Sequence, residues 1–364
     1  MKTVWKKVFG MVIFIGVLFG VSGCEKKPEF YSHTDFAMGT VTNVTLYGTS
    51  SSLDQIEQKI ITKVKEIEEE QISWRIKDSQ LARINAELSK KGEAVVKEPL
   101  KGWLEDALKI SHDSMFSKDE GATWQTTVDP SIGKLTQLWD FESENPKVPS
   151  QKVINQIVKE HGDILDNSEH VIIGENGTIN ACNYEKTKFD LGAFGKGIGI
   201  DEIKKMLEKE EDVSGAMAAL GGSILVYGEK PDGGAWNVGV QDPSGKDGEV
   251  LGSIKVKGDT FISTSGDYEK FFVDKKTGKK YFHILDSKTG YPVETDITSC
   301  TIVCNSGINS DGLSTACFSL GLEKSQKLLK KYNAKAVFVD KKKNVYVSEG
   351  LDFVLQNKEY TLAE

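Results

Sequence analysis

The chain has 364 residues, 46 Lys and Arg against 54 Asp and Glu, and a net charge of −8. That balance argues against non-specific nucleic-acid binding, which needs basic patches. The length allows one large domain or two of medium size, with 38% hydrophobic residues to fill a core.

Residues 1–23 read as a targeting segment: Lys2, Lys6 and Lys7 precede an apolar run, Val8 to Val21, too short for a stable bilayer-spanning helix. The run ends in Val21-Ser22-Gly23-Cys24, which resembles a bacterial lipobox. That resemblance implies lipidation (palmitate) of Cys24 and a protein anchored in the cell membrane and facing outside the cytoplasm; an ordinary signal peptide or anchor is the alternative. Loss of the three lysines takes the mature chain to a charge near −11. Residues 24–34 read as a charged tether and 35–364 as one continuous unit with two lobes, since no repeat or low-complexity linker interrupts them.

Thr40 to Tyr47 alternates as a strand, and Leu53 to Ile72 carries Ile56, Ile60, Val64 and Ile67 at helical spacing. Ser79 is placed to cap a short helix through Ile84. Pro99 to Met115 is a second amphipathic helix, and Ser150 caps a third through Glu160. Val171–Ile173 and Thr178–Ala181 form a hairpin about Asn176-Gly177. A helix is expected over Asp201 to Lys209. Strands follow at 216–220, 223–227, 236–240, 252–256, 261–264, 271–273, 281–285 and 298–303, with a hairpin turn at Lys275-Lys276-Thr277-Gly278. Helices over 311–320 and 322–331 and strands over 336–339 and 345–347 close the chain. Helices grouped between strand hairpins give an α+β fold with mostly antiparallel sheets and flanking helices, not a doubly wound one.

Four cysteines follow Cys24: Cys182, Cys300, Cys304 and Cys317. An exported protein could pair them. Cys300 and Cys304 share one face of a strand but lie too far apart along it to bond each other, and no histidine nearby suggests zinc. They read as small buried hydrophobes.

The stretch Phe189 to Asp201 places Gly192, Gly195, Gly197 and Gly199 around Lys196 between a strand-like run and a helix. Glycines there let backbone N–H groups approach an anion at a helix N-terminus. The spacing fits neither the Walker A loop nor the dinucleotide fingerprint, so a phosphate cradle and a plain tight turn both stand.

Eight segments in order resemble the ApbE family of FAD:protein FMN transferases. They are Met38-Gly39-Thr40; Ser73, Ser79, Leu81 and Asn85; Asp129 through Phe141; Phe189 to Asp201; Gly221-Gly222 with Trp236 to Pro243; Ser265 to Lys270; His283-Ile284-Leu285-Asp286 with Thr289 to Pro292; and Ser310 to Ala316. Three positions depart from the pattern: Lys134 replaces a proline, Ser287 follows Asp286, and Ser314 stands where some relatives carry a second aspartate.

The resemblance implies a single ApbE, T-fold-like domain. The implied enzyme uses FAD as substrate and Mg²⁺ or Mn²⁺ as cofactor. It moves FMN to a Thr or Ser hydroxyl of a flavin-acceptor protein (an electron-transfer subunit or extracellular flavoprotein) and releases AMP. Ala193 (through its carbonyl), Asp311 and Thr315 would hold the metal. Asp311 and Thr315 are i, i+4 on one helix face, with oxygen donors suited to a hard cation; the alternative for Asp311 is a helix cap in Asn309-Ser310-Asp311. Met38, Thr127, Val128, Asp129, Asp190, Lys196 and Leu285 would line the FAD site, with Lys196 offsetting pyrophosphate charge. His283 is the candidate acid or base, titrating near pH 6.5, or a structural histidine. Ser265 and Asp267 form either the site or a turn. An FAD pyrophosphatase and a non-catalytic FAD-binding lipoprotein are the rival readings.

Overall fold

A computed structural model describes residues 29–49, 51–116, 126–165, 171–181, 187–246 and 248–363. The targeting segment 1–23, Cys24 and Cys182 lie outside the described residues.

The chain opens with strands β1 (Glu29–Ala37) and β2 (Thr40–Gly48). Helix α1 (Leu53–Glu66) runs on through a π-helical turn, Ile67–Ile72, to α2 (Gln80–Lys91), β3 (Glu93–Val95), α3 (Leu100–Asp113), α4 (Gly133–Trp139) and α5 (Gln151–Leu165). The hairpin β4 (Val171–Ile173) and β5 (Thr178–Ala181) precedes α6 (Gly195–Leu207). Eight strands follow: β6 (Val213–Leu220), β7 (Ser223–Gly228), β8 (Trp236–Gln241), β9 (Val250–Val256), β10 (Thr260–Gly266), β11 (Phe271–Val273), β12 (Lys280–Phe282) and β13 (Ile297–Cys304). Helix α7 (Gly307–Lys331) and strands β14 (Lys335–Asp340), β15 (Asn344–Val347), β16 (Phe353–Leu355) and β17 (Thr361–Leu362) complete it.

The centre is a nine-stranded sheet ordered β1-β2-β6-β7-β10-β13-β14-β15-β17. Every pairing within it is antiparallel except β15 with β17. Alternation along each strand splits its side chains between two cores. Leu225 and Phe261 join the cluster under α1 and α6, while Val226 and Ile262 join the cluster beneath the small sheet β16-β9-β8. A third cluster runs without a break from α2, α3 and β5 into α7 and β13. The α+β class holds.

Four differences from the sequence reading have physical causes. Residues 29–34, read as tether, are strand: β1 pairs with β2 from Glu29↔Gly48 to Ala37↔Thr40. The turn between them is Met38-Gly39, with φ of 50° and 69°, the geometry of a two-residue hairpin loop. Helix α6 begins at Gly195, six residues ahead of Asp201, because its glycines are packing surfaces rather than loop breakers. A Cβ on Gly197 would stand 2.2 Å from the Gly307 carbonyl oxygen, and one on Gly307 would stand 2.3 Å from that of Gly197. Only glycine lets α6 and α7 cross so closely. The short helix capped by Ser79 continues to Lys91 and stops at left-handed Gly92. The strand expected over 281–285 ends at Phe282, leaving His283 just beyond it. The break expected at 321 is present: Gly321 has φ 76° and ψ 177° inside α7.

Cys300, Cys304 and Cys317 are free and buried, as read. Among the described residues no helix is long and apolar enough to cross a membrane.

Candidate active site

The first turns of α6 and α7 touch, and α7 there meets the start of β7 and the end of β10. The start of α7 is held by Asp201, whose carboxylate accepts the Gly307 and Ile308 N–H groups at 2.8 Å each. Ser306 is its N-cap. The capping alternative for Asp311 is thereby removed, since the helix starts four residues earlier and Asp311 turns inward, 2% exposed.

Asp311 is the focus of a buried polar centre. Its Oδ2 accepts the Gly197 N–H at 2.9 Å. Its Oδ1 accepts the Ser223 hydroxyl at 3.1 Å and lies 3.3 Å from Lys196 Nζ. In a regular helix the Gly197 N–H would donate to the Ala193 carbonyl; here it donates to Asp311, leaving that carbonyl without its helical partner. Thr315, one turn on, shares a hydrogen bond of 3.2 Å with Ser265, and Ser314 one of 2.7 Å with the same hydroxyl. Ser263 and Ser310 add another at 2.7 Å. The centre is thus lined by oxygen donors, with an ammonium against its carboxylate.

Charge follows from this packing. Burial works against the Lys196 ammonium, but Asp311 and Glu269 outweigh it and hold its pKa above the ordinary value. Glu269 is reached from a cleft of about 470 Å³ lined by Gly39, Phe141, Glu142, Glu269, Lys270 and Phe271. Glu269 is exposed as a residue, and desolvation of its carboxyl, helped by Asp311 and opposed by Lys196, raises it to about 7. His283 is pushed down to about 3, by burial first and then by Lys270 and Lys196. It is a neutral imidazole at physiological pH, not a group titrating near 6.5, and its Nδ1 is buried with no hydrogen-bond partner among the described residues.

The second wall joins the 129–141 block to the glycine stretch. Asp190 N–H donates to the Pro130 carbonyl at 2.8 Å, and Gly133 N–H to that of Lys188 at 2.8 Å. Asn85 clamps the same segment, donating to the Phe189 carbonyl at 2.9 Å and accepting its N–H at 2.7 Å. Its place in the 73–85 pattern is thus structural support for the site. Asp190 accepts the Gly192 N–H at 2.8 Å, and burial raises its pKa. Asp129 turns back to Ser131, accepting its N–H at 2.8 Å and its hydroxyl at 2.6 Å. Val128 lies in the core. Thr127 Oγ1 is buried without a partner among the described residues.

Met38 donates its N–H to Glu68 and lays its thioether against Gly199. Leu285 is buried, bridged to Pro292 beside an aromatic cluster of Trp139, Phe141, Phe272, Tyr281 and Tyr291. Asp267 ion-pairs with Lys280 at 3.2 Å.

The structure therefore brings Lys196, Asp311 and Thr315 to one centre, with Ser265 beside them. Sequence reasoning missed Ser223, Glu269, Glu142 and Lys270. Ser223 follows the Gly221-Gly222 pair, and Glu269 lies inside the quoted 265–270 segment, but nothing in the spacing told which side chains turn inward.

Fold and site define an α+β sheet domain with a carboxylate–ammonium centre, rich in hydroxyls, beside a cleft. The chain belongs to the ApbE family, whose model matches residues 38–338. It is similar to the protein named FAD:protein FMN transferase in Treponema pallidum, 29% identical over 353 residues and covering 93% of each chain. The protein of that name in Vibrio cholerae is 28% identical over 317 residues, covering 86% of this chain and 88% of that one. The crystal structure of the ApbE protein from Thermotoga maritima superposes with a TM-score of 0.73 at 28% identity, covering 88% of this chain and 97% of that one. The apo flavinyl transferase ApbE of Pseudomonas stutzeri shares the fold, with a TM-score of 0.67 at 24% identity and coverage of 91% and 96%.

Proposed function

We propose that this chain transfers the FMN half of FAD to a Thr or Ser hydroxyl of an acceptor protein and releases AMP. The observation that carries the reading is the Asp311 centre: a buried carboxylate that draws an ammonium, a backbone N–H and a hydroxyl onto itself, beside an open cleft, in a chain of this family. Displacement at phosphorus asks chiefly for positioning and for neutralised charge.

The residues present fit a hard divalent cation. The donors are the Asp311 carboxylate, the Thr315 hydroxyl and the Ala193 carbonyl, which lacks its helical partner Gly197, all oxygen, and so few protein ligands suit Mg²⁺, which keeps waters and substrate phosphates in its shell. Bound there, Mg²⁺ (or Mn²⁺) supplies charge neutralisation at the pyrophosphate. Lys196 leaves Asp311 for the pyrophosphate oxygens and holds the substrate. Gly197 N–H and Ser223 keep the Asp311 carboxylate oriented. Asn85 and the Asp190 turn hold the wall against which the ligand lies, with Met38, Thr127, Val128, Asp129 and Leu285 around it. Neutral His283 offers hydrogen bonds rather than charge.

We also propose that residues 1–23 are a lipoprotein signal and that Cys24 is lipidated, which would hold the domain at the outer face of the cell membrane and direct it to acceptors there. The support is the sequence alone. Metabolic labelling with a palmitate analogue that marks wild type and spares Cys24→Ala is the expected result; equal labelling refutes it.

The test of activity is direct. The protein is incubated with FAD, Mg²⁺ and the purified flavin-acceptor domain of a bacterial electron-transfer subunit. A flavin-sized mass gain on the acceptor, with AMP in equal amount, is expected. AMP and free FMN without a mass gain would make it a pyrophosphatase; bound FAD without products would make it a binding protein.

A further inference from the structure

We infer that the ribbon β11–β12 and the tip of β1–β2 form the docking surface for the acceptor protein, and that the acceptor meets it with an acidic, partly apolar face around its target hydroxyl; the inference rests on the transfer reading above. Both hairpins reach the cleft. Gly39 lies in the β1–β2 turn, Lys270 and Phe271 stand at the start of β11, and all three line the cleft. The cleft in turn reaches the Asp311 centre. A Cβ built on Gly222 would lie 3.6 Å from Glu269 Oε1, and Ser223, next in the chain, holds Asp311. An acceptor hydroxyl that enters this way brings the surface around it down onto the two hairpins.

The rim carries exposed apolar side chains. Phe36 and Val41 are the second cross-strand pair from the β1–β2 turn and are 57% and 42% exposed. Phe271 and Val273, on one face of β11, are 48% and 51% exposed, while Phe272 between them turns into the aromatic cluster with Trp139 and Tyr281. Strands β11 and β12 pair only with each other. Apolar groups exposed together at the mouth of a cleft mark an interaction site, where single scattered ones do not.

Charge decides what kind of partner fits. The chain carries −8 overall, yet residues 270–280 hold five lysines against Asp274 alone. Lys270 pairs with Glu142, and Lys280 with Asp267. Lys275, Lys276 and Lys279 are exposed and have no carboxylate within ion-pair distance among the described residues. None of the three lines the cleft. At ~3.3 Å per residue, the Lys275-Lys276 turn stands roughly 13 Å along the ribbon from Phe271, which leaves it to a partner larger than FAD. Unpaired charge of one sign on a protein of the other sign steers an oppositely charged partner. An anionic lipid surface has the same charge, but lipid seated on this rim would close the cleft to the acceptor.

The test uses the full chain, the same acceptor domain, and a triple charge reversal, Lys275→Glu with Lys276→Glu and Lys279→Glu. All three side chains are exposed, and circular dichroism checks the fold. Affinity for labelled acceptor is measured without FAD, and attached flavin is measured against acceptor concentration at saturating FAD. The reversal should weaken acceptor affinity and raise its KM about tenfold or more, and leave kcat and FAD affinity within about threefold. It should also remove most of the loss of affinity that wild type shows between about 20 and 300 mM NaCl. An acceptor whose Asp and Glu nearest the target hydroxyl are changed to Lys should bind the reversed protein better than wild type. Phe36→Ser should weaken acceptor affinity about threefold or more and leave FAD affinity unchanged.

Acceptor affinity unmoved by the reversal, or moved equally for both forms of the acceptor, would overturn the docking surface. Equal acceptor affinities, with only wild type sedimenting on phosphatidylglycerol vesicles, would give the ribbon to the membrane and overturn it as well. A wild type that binds the acceptor through the ribbon but attaches no flavin would overturn the transfer reading alone.

Discussion

Replacing Gly197 with alanine sets two known effects against each other. Alanine is the better helix former by about 1 kcal/mol, which favours the variant. The new methyl, however, would stand 2.2 Å from the Gly307 carbonyl oxygen, 2.6 Å from its carbon and 2.8 Å from Asp311 Cβ. Carbon atoms in contact prefer ~3.5–4.0 Å, so α6 and α7 must part by roughly 1 Å. The obstacle is backbone, which cannot rotate aside. Overpacking of this kind costs about 1–3 kcal/mol, and the strained Gly197–Asp311 bond, with a charged acceptor, adds about 1.5–3 kcal/mol. The clash wins by roughly 2–5 kcal/mol. Gly102, also helical, is the control: its nearest neighbour would be the end of the Glu98 side chain at 3.4 Å, so the helix gain stands alone. Gly102→Ala should raise the thermal midpoint by ~2 °C and Gly197→Ala lower it by ~4 °C or more, read by circular dichroism. Because the clash also displaces Asp311, Gly197→Ala should demand more Mg²⁺ for the same transfer rate. If Gly197→Ala were as stable as Gly102→Ala, the packing account of these glycines would be wrong.

Asn85→Ala strands the buried N–H and carbonyl of Phe189 and should destabilise the fold by about 2–4 kcal/mol; an unchanged urea midpoint would refute the clamp. Asp311→Asn keeps the shape and removes the charge. It should abolish the heat of Mg²⁺ binding and the metal dependence of turnover, and a variant with full activity and the wild-type Mg²⁺ titration would remove Asp311 from the metal site. His283 has a folded pKa of about 3 against an unfolded value of ~6.5, so below ~6.5 the unfolded chain binds more protons and stability falls as pH falls. His283→Gln should flatten that decline between pH 7.5 and 4.5 in urea titrations; parallel declines for the two proteins would show that the imidazole is not held neutral.

Much of this protein is legible from local pattern. The period of apolar residues gives α1 and α3, and Asn176-Gly177 gives its hairpin. The run from 311 to 331, broken at Gly321, gives both halves of α7. These features depend on residues within a turn or two of one another, and local propensity carries that information. The ordered segments from Met38 to Ala316 were also enough to suggest the family.

What the sequence could not show lies in contacts between distant parts. Strand β1 looks like a charged tether until β2 pairs with it. Gly197 looks like part of a loop until α7 lies across it, because a missing Cβ means flexibility in an isolated segment and close approach in a packed one. Asp311 looks like a cap until Asp201, 110 positions earlier in the chain, takes the helix end and turns it inward. Glu269 lies inside the 265–270 segment, but its place on the cleft and its lack of a hydrogen-bond partner among the described residues come from tertiary packing. Charge and hydrogen bonding in the site depend on which groups tertiary folding brings within a few ångströms, and sequence spacing does not encode that distance.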